Sequence, residues 1–144
     1  MNKPLDGRLQ TAEHILARIL ENRISDAETG ISKFKEDKGT LEISTTEDLR
    51  EFDREKIQSA VNKIVESEIP VNKYVKNRGD AQREVDLKKV PSDVQKIRIV
   101  DIEGFDKRPC KDPHVDNTKE IGKFEILKIK RVGRDRYRIT FTVN

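Results

Sequence analysis

The chain has 144 residues, of which 33% are apolar and 40% charged, and its formal net charge is +3. This length suffices for one domain over residues 1–144 with a single thin core, and mixed charges with clear apolar periodicities disfavour a disordered chain. The single cysteine excludes an internal disulfide, and the absence of a leader-like or bilayer-length apolar run predicts a soluble cytoplasmic protein without a membrane partner.

The first predicted element is a helix from Arg8 to Asn22. Its apolar residues form one helical stripe, made of Leu9, Ala12, Leu16, Ile19 and Leu20. Gln10 and His14, four positions apart, lie together on nearly the opposite face. A histidine off the apolar stripe is not a core residue by pattern, so the helix taken alone favours an exposed His14.

A hairpin and a second helix follow. The segments 31–36 and 40–45 are predicted to pair across Asp37–Gly39. The second helix is predicted to begin near Asp53 and to end before Pro70. Its apolar stripe consists of Ile57, Ala60, Val61, Ile64 and Val65. Both helices are therefore amphipathic and need a partner layer.

The second half of the chain is predicted to be mostly strands. Residues 71–76 are extended, and the polar segment 77–92 is a connection with one short helical turn around 81–87. Further strands are predicted at 96–102, 124–130 and 136–143. The order predicts an α+β domain with two main helices packed on a largely antiparallel sheet.

The C-terminal segment is basic. From Lys119 to Asn144 there are eight lysines and arginines against three acidic residues. In the last strand, one face holds Tyr137, Ile139, Phe141 and Val143, and the other holds Arg136, Arg138, Thr140 and Thr142. A basic strand of this kind suits a polyanion, and a solvated sheet face is the alternative.

The only cysteine and one of the two histidines stand four residues apart, at Cys110 and His114. Pro109 and Pro113 forbid a regular helix between them. Thiolate and imidazole are preferred zinc ligands, and the only other histidine is His14. Zinc normally takes at least three protein ligands, so the spacing alone leaves both a metal site and chance open.

Two separated segments carry a family resemblance. "QTAEHILARIL" at 10–20 and "CKDPHVDNTKEIGKFEILKIK" at 110–130 resemble the editing domain of alanyl-tRNA synthetase and its free-standing relatives, the AlaX proteins. In that family a helix carries His-Thr-Ala-x-His, and a distant loop carries Cys-x-x-x-His-Val followed by Asn-Thr, Glu-Ile-Gly and Phe. The match runs in order over nearly the whole chain, through "ETGISKF", to the last strand. The motif helix starts within ten residues of Met1, which is typical of the short free-standing type.

The resemblance implies the editing-domain fold shared with threonyl-tRNA synthetase and a zinc ion held by helix and loop residues. Carried across, the ligands are His14, Cys110 and His114, and Gln10 takes the place of the family's first histidine. An amide oxygen binds zinc poorly, so the site is either three-coordinate from protein with water at the open position, or weaker.

Two further positions bear on the pocket. The stretch Lys111–Pro113 stands where the family usually has Gly-Gly-Thr, which replaces a flexible backbone by a stiff, charged one. Thr29, in "ETGISKF", falls where AlaX proteins have a threonine associated with recognition of a serine hydroxyl. The alternative for Thr29 is a turn residue before Gly30.

The implied function is a zinc-dependent, trans-editing aminoacyl-tRNA deacylase that hydrolyses the ester of mischarged Ser-tRNA(Ala) or Gly-tRNA(Ala). The expected reaction-centre residues are Gln10, His14 and Thr29, and the expected tRNA contacts are Arg136 and Arg138. The zinc ion would polarise water or orient the substrate's amino group. The sequence contains no Gly-Lys-Ser/Thr phosphate loop, so no ATP is expected. The alternatives are a noncatalytic tRNA- or RNA-binding protein and a zinc-stabilised structural protein with a degenerate editing site.

Overall fold

The computed structural model describes residues 6–144, so Met1–Leu5 of the predicted domain 1–144 lie outside the described residues. Its helices are α1 (Arg8–Arg23), α2 (Arg54–Glu66) and the short α3 (Arg78–Ala81). Its strands are β1 (Glu28–Lys35), β2 (Lys38–Ser44), β3 (Val71–Asn77), β4 (Lys96–Ile102), β5 (Asp106–Pro109), β6 (Phe124–Gly133) and β7 (Arg136–Val143). Short 3-10 turns cover Leu49–Glu51 and Thr118–Ile121. The predicted α+β class is confirmed.

The strands form two antiparallel sheets instead of the single sheet that the sequence predicted. The larger sheet has the order β1-β2-β7-β6, and the smaller one has the order β3-β4-β5. Leu41 pairs with Ile139, so the last strand of the chain joins the first hairpin. In β7, Tyr137, Ile139 and Phe141 are buried while Arg136 and Arg138 are exposed, as predicted.

Helix α1 lies at the centre of the fold. It contacts β1, β2 and β7 of the larger sheet, α2, and β5 of the smaller sheet. Its apolar stripe belongs to the main hydrophobic core, yet Gln10 and His14 are also buried, with 1% and 4% of their surfaces exposed. The interpretation of His14 as an exposed helical histidine is wrong, because β5 and the segment after it cover the second face of α1.

Helix α2 is positioned by a cap and by two amides. The Asp53 carboxylate accepts hydrogen bonds from the Glu55 and Lys56 amides, which starts the helix where the sequence predicted. On its half-buried flank, Asn62 pairs with both backbone groups of Phe124, at 2.9 and 2.8 Å, and Gln58 accepts from the Ile126 amide. These amides occupy backbone groups of the edge strand β6, which holds α2 against the larger sheet.

Three local predictions differ from the structure. The first hairpin begins at Glu28 instead of Ile31, so Thr29 lies in β1 and is not a turn residue. The hairpin turns at Glu36 and Asp37, with Glu36 at φ 57°, so its second strand starts at Lys38 instead of Thr40. The short helix covers 78–81, earlier than the predicted turn around 81–87, because the Asn77 side chain caps it by accepting from the Asp80 amide. Strand β5 was not predicted, since three charged residues followed by a proline show no strand periodicity. Among residues 6–144, no helix has both the length and the apolarity needed to span a membrane.

Candidate metal centre

The structure brings the three predicted ligands together. His14 comes from the middle of α1, and Cys110 and His114 come from the loop that follows β5. One potential ligand atom from each lies within 4.8 Å of the others. The two imidazole rings are tilted by 59° with centroids 4.4 Å apart. One sulfur and two nitrogens form a donor set that suits zinc.

The protonation states of the cluster follow from its burial. Burial, reinforced by neighbouring His114, holds the pKa of His14 well below its usual value. Burial and the nearby Arg98 guanidinium lower the pKa of His114 to about 4. Both imidazoles are therefore neutral at pH 7, which is the form that binds metal. Burial raises the pKa of the Cys110 thiol to about 11, so a metal ion has to displace its proton on binding.

Two buried ring nitrogens of the cluster do not take part in any hydrogen bond in the described structure. Within the described part of the chain, His14 Nδ1 and His114 Nε2 are shielded from solvent and have no hydrogen-bond partner. Such atoms are uncommon in a folded interior and call for an explanation. A cation bound between the rings would satisfy a ligating nitrogen, so the residues fit a metal site.

The loop that carries Cys110 and His114 is fixed through its backbone. The Cys110 amide donates to the Arg98 carbonyl at 3.0 Å, and the Arg98 guanidinium donates to the carbonyls of Cys110 and Asp112 at 3.0 and 2.8 Å. Lys73 Nζ donates to the carbonyl of His114 at 3.4 Å and forms an ion pair with Asp116. As the prolines predicted, no helix forms between the two ligands.

A carboxylate that the sequence did not single out lies behind His14. The Asp106 side chain is fully buried and accepts from Arg18 Nε at 2.8 Å and from Arg108 Nε and Nη2, each at 2.8 Å. Its Oδ2 atom is 3.8 Å from His14 Nδ1. Arg108 also donates to Glu21 at 3.0 Å. Asp106 thereby ties β5 to the helix that carries His14.

A second acidic residue borders the cluster on the other side of His14. Glu13 Oε2 is 3.9 Å from His14 Nε2, and the Ser32 hydroxyl of β1 donates to Glu13 Oε1 at 2.5 Å. Burial raises the pKa of Glu13. The sequence offered no signal for this residue, because it stands at the variable position of the helix motif and its partner Ser32 comes from another element.

Thr29 lies away from the ligands. Its hydroxyl donates to Glu21 Oε2 at 3.4 Å, and its carbonyl accepts from Lys89. Glu21 is seven residues after His14, about 10 Å along the helix axis. Thr29, Glu21 and Arg108 line a cleft of about 560 Å³ that reaches Pro109, next to Cys110. The structure thus places Thr29 in a cleft that approaches the cluster instead of in the cluster itself.

The predicted tRNA-contacting arginines are also separate from the cluster. Arg136 and Arg138 lie on the outer face of the larger sheet, whose inner face packs on α1, and Arg138 donates to Glu42 at 3.3 Å. Closer to the cluster is a pocket of about 320 Å³, lined by Cys110 and by four cations. These cations are Lys89, Lys96, Arg98 and Lys111.

Gln10 is buried like His14 and His114, and it lies one helical turn before His14. We expect Gln10→His to raise zinc affinity, because imidazole is a better zinc ligand than an amide oxygen. A competition titration against a zinc chelator measures the change. Gln82→His, at an exposed position, is the matched control for an added histidine. Equal affinities for the parent, Gln10→His and control proteins would mean that residue 10 does not reach the metal.

Comparisons with known proteins connect the chain with alanyl-tRNA editing proteins. Residues 97–140 match the profile of the family described as "Threonyl and Alanyl tRNA synthetase second additional domain". The chain is 29% identical to "Alanyl-tRNA editing protein AlaX-M" of Methanosarcina barkeri, in an alignment that covers 94% of this chain and 57% of the relative. It is 34% identical to "Alanine--tRNA ligase" of Methanococcus maripaludis, with 87% of this chain and 14% of the relative covered. The chain thus spans little more than half the length of the AlaX-M relatives. Over most of its length, the chain is thus similar to proteins named alanyl-tRNA editing protein AlaX-M and to a part of alanine--tRNA ligases.

Proposed function

We propose that the chain is an aminoacyl-tRNA deacylase that hydrolyses the ester of mischarged Ser-tRNA(Ala) or Gly-tRNA(Ala) with the help of zinc. The observation that carries the proposal is the cluster of the buried His14 and His114 with the half-buried Cys110, two neutral imidazoles and a thiol brought together from distant segments. Its members stand at the positions that the family resemblance assigns to ligands. The predicted cytoplasmic setting, where tRNA is aminoacylated, is part of this proposal.

The chain's own groups have definite tasks in such a reaction. His14, Cys110 and His114 would hold zinc, with Gln10 as a weak additional ligand, and the ion would supply polarisation of water or of a substrate group. Glu13 Oε2 lies beside His14 Nε2, and Ser32 fixes the other carboxylate oxygen. Because burial raises the pKa of Glu13, its carboxylate suits the acceptance of a proton from the attacking water.

The cleft next to the cluster suits the aminoacyl end of the substrate. We assign to Thr29 the contact with the amino acid side chain, through the hydroxyl that now faces Glu21. Lys89 reaches across the cleft and donates to the Thr29 carbonyl. A substrate in the cleft would have to displace part of this contact. The Thr29 hydroxyl beside the Glu21 carboxylate offers polar contacts that are compatible with a serine or glycine ester.

The tRNA backbone needs a cationic surface. We retain Arg136 and Arg138 as proposed phosphate contacts, and we expect the Arg136→Ala/Arg138→Ala variant to bind tRNA more weakly, with a salt dependence shallower by about one to two units of slope. Affinity measured against salt concentration tests this, with folding checked by circular dichroism.

The double variant Lys96→Ala/Lys111→Ala is the matched comparison, because both lysines are exposed and line the pocket at Cys110. If the arginine variant keeps the parent slope and affinity, the outer sheet face does not contact tRNA. A loss confined to the lysine variant would then place the phosphates at the Cys110 pocket.

The experiment that tests the function is hydrolysis of tRNA(Ala) charged with serine, glycine or alanine. A deacylase releases serine or glycine and spares the alanine ester. The second candidate is a noncatalytic tRNA-binding or zinc-stabilised protein, which the replacement of the family histidine by Gln10 favours. That protein would bind tRNA or zinc without releasing any of the three amino acids.

A further inference from the structure

The hydroxyl group of Thr11 joins the start of α1 to the loop that carries His114. The Thr11 side chain is fully buried. Its Oγ1 atom lies 2.8 Å from the Gly7 carbonyl oxygen, 3.1 Å from the Val115 amide nitrogen and 3.0 Å from His114 Nδ1. Three polar partners thus surround one hydroxyl group inside the protein.

The roles of these three contacts follow from the chemistry of the partners. A hydroxyl group has one proton to donate and two lone pairs. The Gly7 carbonyl only accepts and the Val115 amide only donates, so the hydroxyl gives its proton to Gly7 and one lone pair to Val115. Without that proton, two oxygen acceptors would face each other at 2.8 Å. His114 Nδ1 therefore has to donate to the remaining lone pair.

This arrangement determines which nitrogen of His114 is free. In a neutral imidazole one nitrogen carries the proton and the other offers a lone pair. If Nδ1 carries the proton, Nε2 has the lone pair, and Nε2 is the buried His114 nitrogen without a hydrogen-bond partner in the described structure. A lone pair on a shielded nitrogen beside Cys110 and His14 is ready to bind a cation.

We propose that Thr11 is a positioning residue that holds His114 in the Nδ1-protonated tautomer and directs its Nε2 lone pair to the metal centre. The proposal rests on the zinc site of the proposed function. It assigns a task to a motif residue that lies outside the donor set of His14, Cys110 and His114. A free imidazole in water is not held in this tautomer or in one ring orientation. A hydrogen-bond partner is therefore needed to fix both.

The backbone around Thr11 makes this contact a fixed part of the fold. Gly7, which precedes α1, has φ 81°, and a Cβ atom there would lie 2.5 Å from His114 Cα. The helix start therefore touches the loop backbone directly. Thr11, one turn later, also accepts from the amide of Val115, the residue next to His114. The tautomer is thus set before any metal binds.

Nitrogen-15 NMR of the metal-free protein tests the tautomer directly. The sequence has two histidines, so selective labelling gives two rings, and His14→Ala assigns them. We expect a protonated Nδ1 and an unprotonated Nε2 for His114 in the parent protein and in Thr11→Ser. Thr11→Val, which removes the hydroxyl at similar size, should shift His114 toward the Nε2-protonated form. A parent protein with His114 protonated at Nε2 would contradict the proposal.

Zinc affinity supplies the second measurement. We expect Thr11→Val to lower zinc affinity by about 10–100-fold, as loss of a partner that orients a ligand does elsewhere, and Thr11→Ser to restore most of it. Thr118→Val is the matched control, because Thr118 is also fully buried and bonds only backbone groups, those of Ile64, Val65 and Ile69. It should lower stability without changing zinc affinity.

The outcomes separate this proposal from the proposed function. If Thr11→Val binds zinc as tightly as the parent, Thr11 does not position His114, while the zinc site itself stands. If the parent binds no zinc, the zinc site is wrong, and the NMR tautomers alone then decide what Thr11 does to His114.

Discussion

Cys110→Ala is expected to remove stoichiometric zinc binding and, with it, hydrolysis of mischarged tRNA. The parent protein should carry up to one zinc ion per chain, held by His14, Cys110 and His114. Alanine leaves two imidazoles as the only strong ligands, fewer than the three protein ligands that catalytic zinc sites normally have. The loss should exceed the roughly 10–100-fold that removal of a ligand's hydrogen-bonding partner costs. Elemental analysis and a chelator competition titration measure the change.

Lys111→Ala is the matched control, because this neighbour of Cys110 is exposed and has no place in the donor set. It should retain the zinc of the parent protein. Cys110 is also the only cysteine, so bound zinc should slow alkylation of the parent thiol. If protein purified without chelators contains no zinc and does not bind added zinc, or if Cys110→Ala keeps its zinc, the ligand assignment is wrong.

Asp106→Ala is expected to have the largest effect on folding. The Asp106 carboxylate is fully buried between the guanidinium groups of Arg18 and Arg108. Removal of one member of a buried ion pair leaves a charge without compensation, which costs about 3–5 kcal/mol of unfolding free energy. We expect the lower end of this range, about 3 kcal/mol, because Glu21 still accepts from Arg108. Urea unfolding at constant pH measures the change.

Glu42→Ala serves as the comparison, because Glu42 pairs with the half-exposed Arg138 on the outer sheet face. Surface ion pairs of this kind contribute little, so this variant should unfold close to the parent. Similar unfolding free energies for Asp106→Ala and Glu42→Ala would show that the buried carboxylate does not hold β5 to α1.

The parts of the fold that the sequence predicted are those whose pattern is complete within one element. Strand β7 alternates between the buried Tyr137, Ile139 and Phe141 and exposed arginines, because one face packs on the core and the other meets water. Helix α2 begins after Asp53 because that side chain satisfies free backbone amides. Such signals do not depend on the rest of the chain.

The predictions that differ from the structure depend on contacts between distant segments. An apolar stripe identifies one packed face of α1, but it carries no information about the smaller sheet that buries His14 on the other face. The division into two sheets likewise depends on which strand edges meet. Strand β5 owes its pairing to β4, since its own residues are mostly charged.

The candidate site likewise contains residues that the sequence marks locally and residues whose contacts come from distant segments. His14, Cys110 and His114 were identified because their residue types bind zinc and their spacing resembles a family motif. Thr11 and Asp106 form hydrogen bonds with groups from other segments, and no local periodicity marks such contacts. Thr29 was assigned by resemblance, and the structure adds that Glu21 and Lys89 are its neighbours.

The most direct test of the proposed function is the rate at which zinc-loaded protein releases serine from Ser-tRNA(Ala), compared with the spontaneous rate. Cys110→Ala, prepared in the same way and shown to be folded, is the inactive reference. We predict that the parent protein releases serine well above the spontaneous rate and that Cys110→Ala does not. Folded, zinc-loaded parent protein that leaves both Ser-tRNA(Ala) and Gly-tRNA(Ala) intact at the spontaneous rate would contradict the account.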